Sequence, residues 1–305
     1  MSTPSTPPPA SFFYPVLLLI VSMVSLQGGA ALAKSLFPIV GAEGTSALRL
    51  LFSAMLLLAW FRPWRVRLAA REWRLIVAYG LSLGAMNLLF YMALRTIPLG
   101  IAVALEFTGP LAVALLSSRR MADFIWIVLA AAGILLLIPH SASVDALDPV
   151  GMLYALAAGL SWALYIVFGR RAGMRLGARA IALAATVAAL FVLPFGLAHA
   201  GAAALFSPDL LPWAIGVAVL SSALPYGLEI IVLPRIPVRI FGTLLSLEPV
   251  FGALSGLLFL HETLSFTQWI AILAIVTASV CITIGHRRPS RKSAKQATTP
   301  QRQRR

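Results

Sequence analysis

Residues 98–117 read PLGIAVALEFTGPLAVALLS, an apolar run with a single charge inside it, Glu106, and Arg119-Arg120 just beyond its end. Its length suits a helix that crosses a hydrocarbon core about 30 Å thick at a rise of about 1.5 Å per residue. The run is continuously apolar rather than alternating with a period of two, and it is far longer than a barrel strand, so it reads as a transmembrane helix. Working outward, further runs of this kind cover 13–33, 44–61, 73–94, 122–139, 149–169, 179–198, 210–233, 238–260 and 266–285. The expected fold is an all-α integral membrane protein of ten spans. Composition agrees: 60% of the 305 residues are hydrophobic, 11% are charged, and the mean hydropathy is +0.92.

Charge between the runs predicts orientation, because short cytoplasmic loops retain Lys and Arg. Arg62, Arg65, Arg67, Arg71 and Arg74 follow span two, and Arg119 and Arg120 follow span four. Arg170, Arg171, Arg175 and Arg179 follow span six, Arg235 and Arg239 follow span eight, and the tail from Arg287 to Arg305 is basic throughout. The alternate gaps hold only Lys34 and Arg95, which places both termini in the cytoplasm. The net charge of +14 is therefore spread over loops as a topology signal, not gathered into a nucleic-acid surface. A Pro-rich leader, 1–12, and a tail rich in Ser, Thr, Gln and Pro, 286–305, read as disordered, with the tail resting at most on anionic lipid. Ala31-Leu32-Ala33 resembles a signal-peptidase site, but residues 1–12 carry no positive charge, so the first span is expected to be retained. One cysteine, Cys281, allows neither an intrachain disulfide nor a cysteine metal cluster.

The chain divides into 13–139 and 149–285 with five spans each. An odd number per half makes the second half enter the membrane from the opposite face, the inverted-repeat arrangement of many secondary transporters. Ile97-Pro98 opens span four and Ile236-Pro237 opens span nine, and twelve residues later come Pro110 and Pro249. Each inner proline is accompanied by an acid, Glu106 or Glu248. Neither proline can donate to the carbonyl four residues back, at Glu106 or Leu245, so a kink is expected at both. An ordinary packing kink is the competing reading. The Gly80/Gly84 and Gly252/Gly256 pairs read as close helix packing.

Ionisable groups inside spans carry the chemistry: Arg49, Glu106, Glu229 and Glu248. Each costs at least about 2–3 kcal/mol at the bilayer centre unless partnered or hydrated. Glu106 lies about 12 Å from the start of its span, near the midplane. Two readings of Arg49 stand side by side. It and Lys34 meet a substrate carboxylate while Glu106 meets an ammonium group, or Arg49 is a permanent strut for a glutamate. A carboxyl group held in such a place can also take up and release protons, a role open to Glu106, Glu248 and Glu229. Gln27, Asn87, Tyr91, Trp162, Tyr165 and Tyr226 lie at compatible depth and could line a cavity, although interhelical hydrogen bonds and interface packing compete for each. No phosphate-binding loop, zinc-binding His pair or nucleophile elbow occurs, so neither an enzyme nor an ATP-driven pump is expected, and no cofactor.

Several segments are familiar as wording: Ser25-Leu-Gln-Gly-Gly-Ala-Ala-Leu-Ala-Lys-Ser-Leu-Phe-Pro38, residues 98–120, Ser222-Ala-Leu-Pro-Tyr226 and Phe241-Gly-Thr-Leu-Leu-Ser-Leu-Glu-Pro249. Together they resemble the amino-acid exporters of the drug/metabolite transporter superfamily, in the branch built from two EamA repeats. The likeness runs over nearly all of 13–285. It implies a bacterial inner-membrane carrier that exports threonine, homoserine and some other amino acids under the proton-motive force. His261-Glu262-Thr263 departs from it, standing where that branch more often has Gly-Glu-Thr. Export of another metabolite or drug, and a membrane sensor or assembly protein that moves nothing, are the rival functions.

Overall fold

The computed structural model describes residues 9–65, 68–117, 124–137, 147–232, 235–236, 241 and 244–285. The leader to residue 8, the tail from 286, Arg67, Arg119, Arg120, Pro237, Arg239 and residues 140–146 lie outside that set. Among the described residues there are helices and no strand: α1 (Pro9–Ser35), α2 (Phe37–Phe61), α3 (Ala70–Ala93), α4 (Leu99–Glu106), α5 (Thr108–Ser117), α6 (Phe124–Leu137), α7 (Pro149–Leu176), α8 (Arg179–Leu205), α9 (Leu211–Ala218), α10 (Leu224–Val232), α11 (Glu248–Leu260) and α12 (Phe266–Gly285). Five stretches, in α1, α2, α3, α7 and α8, are long and apolar enough to cross a membrane. The other five positions read as spans hold shorter apolar helices, at Leu99–Val113, Val128–Leu137, Leu211–Ala223, Glu248–Leu260 and Phe266–Cys281.

Local chemistry sets the helix limits. Pro38 opens α2, and α2 closes at Arg62, whose left-handed backbone leads into Pro63. Glu72 accepts from the Ala69 backbone N–H at 2.9 Å and caps α3. α11 ends on His261 in the left-handed conformation, φ 55°, which a glycine adopts without steric cost. That is the position where the resemblance leads one to expect Gly. The predicted spans 44–61 and 179–198 are shorter than α2 and α8 for a related reason. Gly41 (φ 71°) and Gly201 (φ 74°) interrupt those helices, leaving a short helical turn beyond each break.

Three spans are broken at prolines. α4 passes to α5 through Phe107, because Pro110 offers no N–H to the Glu106 carbonyl. Ser246 and Leu247 form a turn before α11, because Pro249 offers none to Leu245. Both breaks match the kinks expected from the sequence. The third is a π-helical turn, Val219–Ala223, between α9 and α10, where Pro225 offers no N–H to Ser221.

The helices then pack as pairs. α2 lies on α8, α3 on α7 and α8, α6 on α12, and α4 on both α7 and α11. α1 lies on α10 and α11, and α2 on α9. Small residues allow these approaches: a Cβ on Gly80 would meet the Ala184 carbonyl at 2.6 Å, and one on Gly100 would meet Ala253 Cα at 2.5 Å. Gly252 and Gly256 face Val103 and Leu99 in the same crossing. The tightest contact joins α5 to α7, where a Cβ on Gly109 would lie 1.8 Å from the Gly159 carbonyl. Outward faces carry exposed apolar side chains such as Leu116, Leu160, Leu190 and Leu258.

Asp148 caps the start of α7. Its carboxylate accepts from the backbone N–H of Val150 (3.0 Å) and Gly151 (3.1 Å). The Thr96 hydroxyl, followed by these amides, holds its carboxyl below the usual aspartate range. A lowered folded-state value means that the cap stabilises the protein above the ordinary aspartate range, near pH 4, and is lost as pH falls through the folded value.

Two outcomes follow, both read as thermal midpoints of purified protein. Gly109→Ala is expected to destabilise by about 1–3 kcal/mol, whereas Gly173→Ala, with nothing within 4 Å of the new Cβ, changes stability by less than about 1 kcal/mol. Asp148→Ala lowers the midpoint at pH 7, and its gap from the parent protein closes below about pH 4.

Candidate functional site

The broken helices surround one cavity of about 420 Å³, within the roughly 300–1,000 Å³ span of small-molecule sites. α1 supplies Leu26, Gln27 and Ala30, α2 supplies Arg49, and α3 supplies Met86, Asn87 and Phe90. From the α4–α5 break come Val103, Glu106, Phe107 and Pro110, and from α7 Trp162, Tyr165 and Ile166. The remaining wall is Pro225 and Glu229 of α10, Leu245, Ser246 and Glu248 around the second break, and Ser279 of α12.

Arg49 is the cation of this cavity. Its guanidinium donates to Asn87 Oδ1 at 2.6 Å and to the Ser221 carbonyl at 3.1 Å, and it stands over the Tyr91 ring, 5.5 Å from the centroid. The Ser221 carbonyl is available because Pro225 cannot donate to it. Asn87 is oriented in turn by its own amide, which donates to the Leu83 carbonyl at 2.9 Å. Arg49 makes no ion pair with a glutamate among the described residues, so the permanent-strut arrangement is not what the structure contains.

The acids are held differently. Glu106 and Glu248 are buried, line the cavity, and accept no hydrogen bond from the described residues. Glu229 accepts from the Ser22 hydroxyl at 3.2 Å. Gln27, 4% exposed, also reaches the cavity wall without a hydrogen-bond partner among the described residues. Such groups are costly in an apolar interior unless a ligand or water completes them. Phe107 and Trp162 meet edge to face, centroids 5.4 Å apart, and close the apolar side. The arrangement offers a fixed cation, unpaired carboxylates and an amide within one enclosure, the complement of a small zwitterion.

Over 277 residues the chain is 50% identical to the threonine/homoserine exporter RhtA of Escherichia coli (strain K12), covering 91% of this chain and 94% of that protein. The protein of the same name from Salmonella typhimurium (strain LT2) is 52% identical over 274 residues, 90% of this chain and 92% of its own length. The EamA-like transporter family matches residues 149–284. The chain belongs to that family. A more distant member of the comparison, the uncharacterized transporter YwfM of Bacillus subtilis (strain 168), is 29% identical over 252 residues, 79% of this chain and 84% of that protein. A solved crystal structure with 21% identity has the same fold, with a TM-score of 0.59 over 90% of this chain and 98% of that one. This EamA protein is a multi-pass membrane transporter and not an enzyme.

Of the residues singled out in its sequence, Gln27, Arg49, Asn87, Glu106, Trp162, Tyr165, Glu229 and Glu248 line this cavity. Lys34 does not. It pairs with Glu262 at 2.6 Å, and the other Glu262 oxygen accepts from the Leu99 backbone N–H at 2.8 Å. Lys34 therefore clamps the end of α1 to the start of α4 and to the turn after α11, a use its position at the end of a span did not reveal. Tyr91 is wholly buried beneath Arg49 and positions it rather than lining the cavity. Tyr226 lies on α10, and its side chain is outside the described residues. Spans five and seven supply none of the described wall residues. α8, the helix of span seven, is packed behind α2 and α3, and α12 supplies Ser279. Pro225 was legible by the same rule as Pro110 and Pro249, whereas Ser246 and Ser279 carry no charge and gave no signal.

Glu262→Ala leaves the buried Leu99 N–H unpaired and is expected to cost about 1–3 kcal/mol in thermal unfolding. Glu262→Gln keeps that acceptor and costs less, since what it loses is the ion pair with Lys34, only partly buried and weak for that reason.

Proposed function

We propose that this protein exports threonine, homoserine and related small amino acids across the bacterial inner membrane, coupled to the proton-motive force by alternating access. The observation that carries the reading is the buried cavity where Arg49 stands as a fixed cation while Glu106 and Gln27 have no hydrogen-bond partner among the described residues. Arg49 takes the substrate carboxylate and Glu106 its ammonium group or the coupling proton. Gln27, Asn87 and Trp162 complete the substrate wall, Tyr91 supports Arg49 from beneath, and Glu248 and Glu229 relay protons. The choice of substrate rests on the name of the relatives that are 50% and 52% identical.

Two inverted repeats, 13–139 and 149–285, with both termini cytoplasmic, give this carrier its two-sidedness. The helix pairing supports the repeats: exchanging the first five spans with the last five turns the contact of α3 with α7 into that of α10 with α1, and returns α2 with α8 and α6 with α12 to themselves. The matched proline breaks beside Glu106 and Glu248 support it further. The basic loops after spans two, four, six and eight support the orientation.

The test is efflux of radiolabelled threonine and homoserine from cells lacking their own exporters, with and without this chain. Efflux is expected to rise and to fall back when a protonophore collapses the gradient. Arg49→Ala should lower transport efficiency by roughly 10- to 100-fold, the loss of a hydrogen bond to a charged group. Glu106→Gln should flatten the pH dependence of the rate. An unchanged rate and pH profile in Glu106→Gln would remove Glu106 from the mechanism. Absence of efflux from membranes that contain the protein would refute amino-acid export and turn the search to other metabolites.

A further inference from the structure

Two tyrosines have no part in the scheme above. Tyr165 of α7 lines the cavity, and it touches Tyr79 of α3, which is buried behind it. Their ring centroids are 4.9 Å apart with the planes at 34°, and their hydroxyls are hydrogen-bonded to each other. Glu229, in the same cavity wall, is the carboxyl group whose charge bears on the Tyr165 hydroxyl. An acid of the cavity and a pair of linked hydroxyls thus stand in series.

The series leads out of the cavity in one direction. Gly169 lies one turn beyond Tyr165 on α7, and a Cβ there would stand 2.7 Å from the Tyr79 ring and 3.1 Å from its hydroxyl oxygen. The glycine therefore lets Tyr79 lie flat on α7, one turn nearer the end that carries Arg170, Arg171 and Arg175. On its own helix Tyr79 is about 13 Å from the start, where Arg71 and Arg74 lie. By the charge rule both of those helix ends are cytoplasmic. Past Tyr79 the contact of α3, α7 and α8 is apolar, made by Ile76, Ala172, Leu176 and Ala180.

We propose that Tyr165 and Tyr79 carry the coupling proton from Glu229 toward the cytoplasm. The inference rests on the proton-coupled export proposed above. A phenolic hydroxyl both donates and accepts, so two in series pass a proton without either becoming charged. The Glu229 proton reaches the Tyr165 oxygen through cavity water while the Tyr165 hydrogen moves to the Tyr79 oxygen and the Tyr79 hydrogen moves to water on the cytoplasmic side. Glu229 is left ionised, both tyrosines end neutral, and rotation of the two hydroxyls resets the chain. The apolar cluster past Tyr79 withholds the last transfer until the cytoplasmic side opens, which keeps the path from leaking protons.

The experiment uses the full-length protein in proteoliposomes loaded with a pH-sensitive dye and compares two modes of threonine movement. Net transport driven by a proton gradient requires the proton to leave Glu229, whereas exchange of internal for external radiolabelled threonine does not, because the carrier crosses loaded both ways. Tyr79→Phe keeps the ring and removes the hydroxyl. It is expected to slow net transport and the proton movement read by the dye by about tenfold or more, with exchange at the parent rate. Tyr165→Phe should slow proton movement to the same extent and the double variant no further, since the two are links of one chain. Either single variant carries the test if the other fails to accumulate. A pair that only fastens α3 to α7 would lower both modes together or neither, and that result overturns the relay while export stands. Slowing that multiplies in the double variant overturns it as well. A parent protein that exchanges threonine but ignores the gradient refutes proton coupling, and one that does neither refutes export; the relay falls in both cases.

Discussion

A carbonyl inside a membrane has no water to turn to, so each proline placed in a span obliges the structure to find that carbonyl another environment. Pro110, Pro225 and Pro249 do this at three places, and the cavity forms among them. At Pro225 the answer is explicit. The chain adopts a π-helical turn, the Ser25 hydroxyl donates to the Leu220 carbonyl at 2.7 Å, and Arg49 takes the Ser221 carbonyl. The group proposed to meet the substrate carboxylate is thereby held in place by the defect in its neighbour. At the other two breaks the helix ends bring Glu106, Ser246 and Glu248 to the cavity wall instead. Irregular backbone is tolerated at membrane depth where it lines a cavity, and here it does.

Defects of this kind need close neighbours, and glycine supplies them. A Cβ on Gly29 would come within 2.8 Å of the Ser221 nitrogen, so α1 can press against the π turn only because no side chain intervenes. Gly159 plays the same part for the first break: its added Cβ would meet the Glu106 carbonyl at 2.7 Å. The sequence pairs at 80/84 and 252/256 were readable as packing. Gly29, Gly109 and Gly159 were not, because their partners are distant in sequence and belong to no spaced motif.

What could be read in advance was whatever a membrane makes expensive. Apolar runs give the helices, since nothing else satisfies the backbone there. Glu106, Glu229, Glu248 and Arg49 stand out because a buried charge demands a reason, and the fold brings all four to one cavity. Lys34 misled because a charge at a span end can be either a ligand or a clamp, and only the position of Glu262 decides. Ser279 was invisible, since a serine in a membrane helix costs little and satisfies itself locally. The limits of α2 and α8 were foreshadowed by the predicted spans, but the breaks at Gly41 and Gly201 are backbone events with no apolar signature.

Charge is paired on one side of the molecule. Glu262 holds Lys34, Glu43 holds Arg95 at 3.4 Å, and His199 lies 3.7 Å from Glu43. These are the ion pairs among the described residues, and they gather at the end of α1, the start of α2, the end of α3 and the end of α8. For the proposed carrier, the charge rule makes that side periplasmic. Each tie is weak. Arg95 is half exposed, and partly exposed pairs contribute about 0–1 kcal/mol each. Ties of this kind suit a carrier working by the proposed alternating access, since each breaks and re-forms at little cost. A single buried ion pair at the midplane would not serve, because breaking it costs about 3–5 kcal/mol and strands a charge. That is consistent with a cavity in which the arginine is held by neutral groups and the glutamates are left for the substrate.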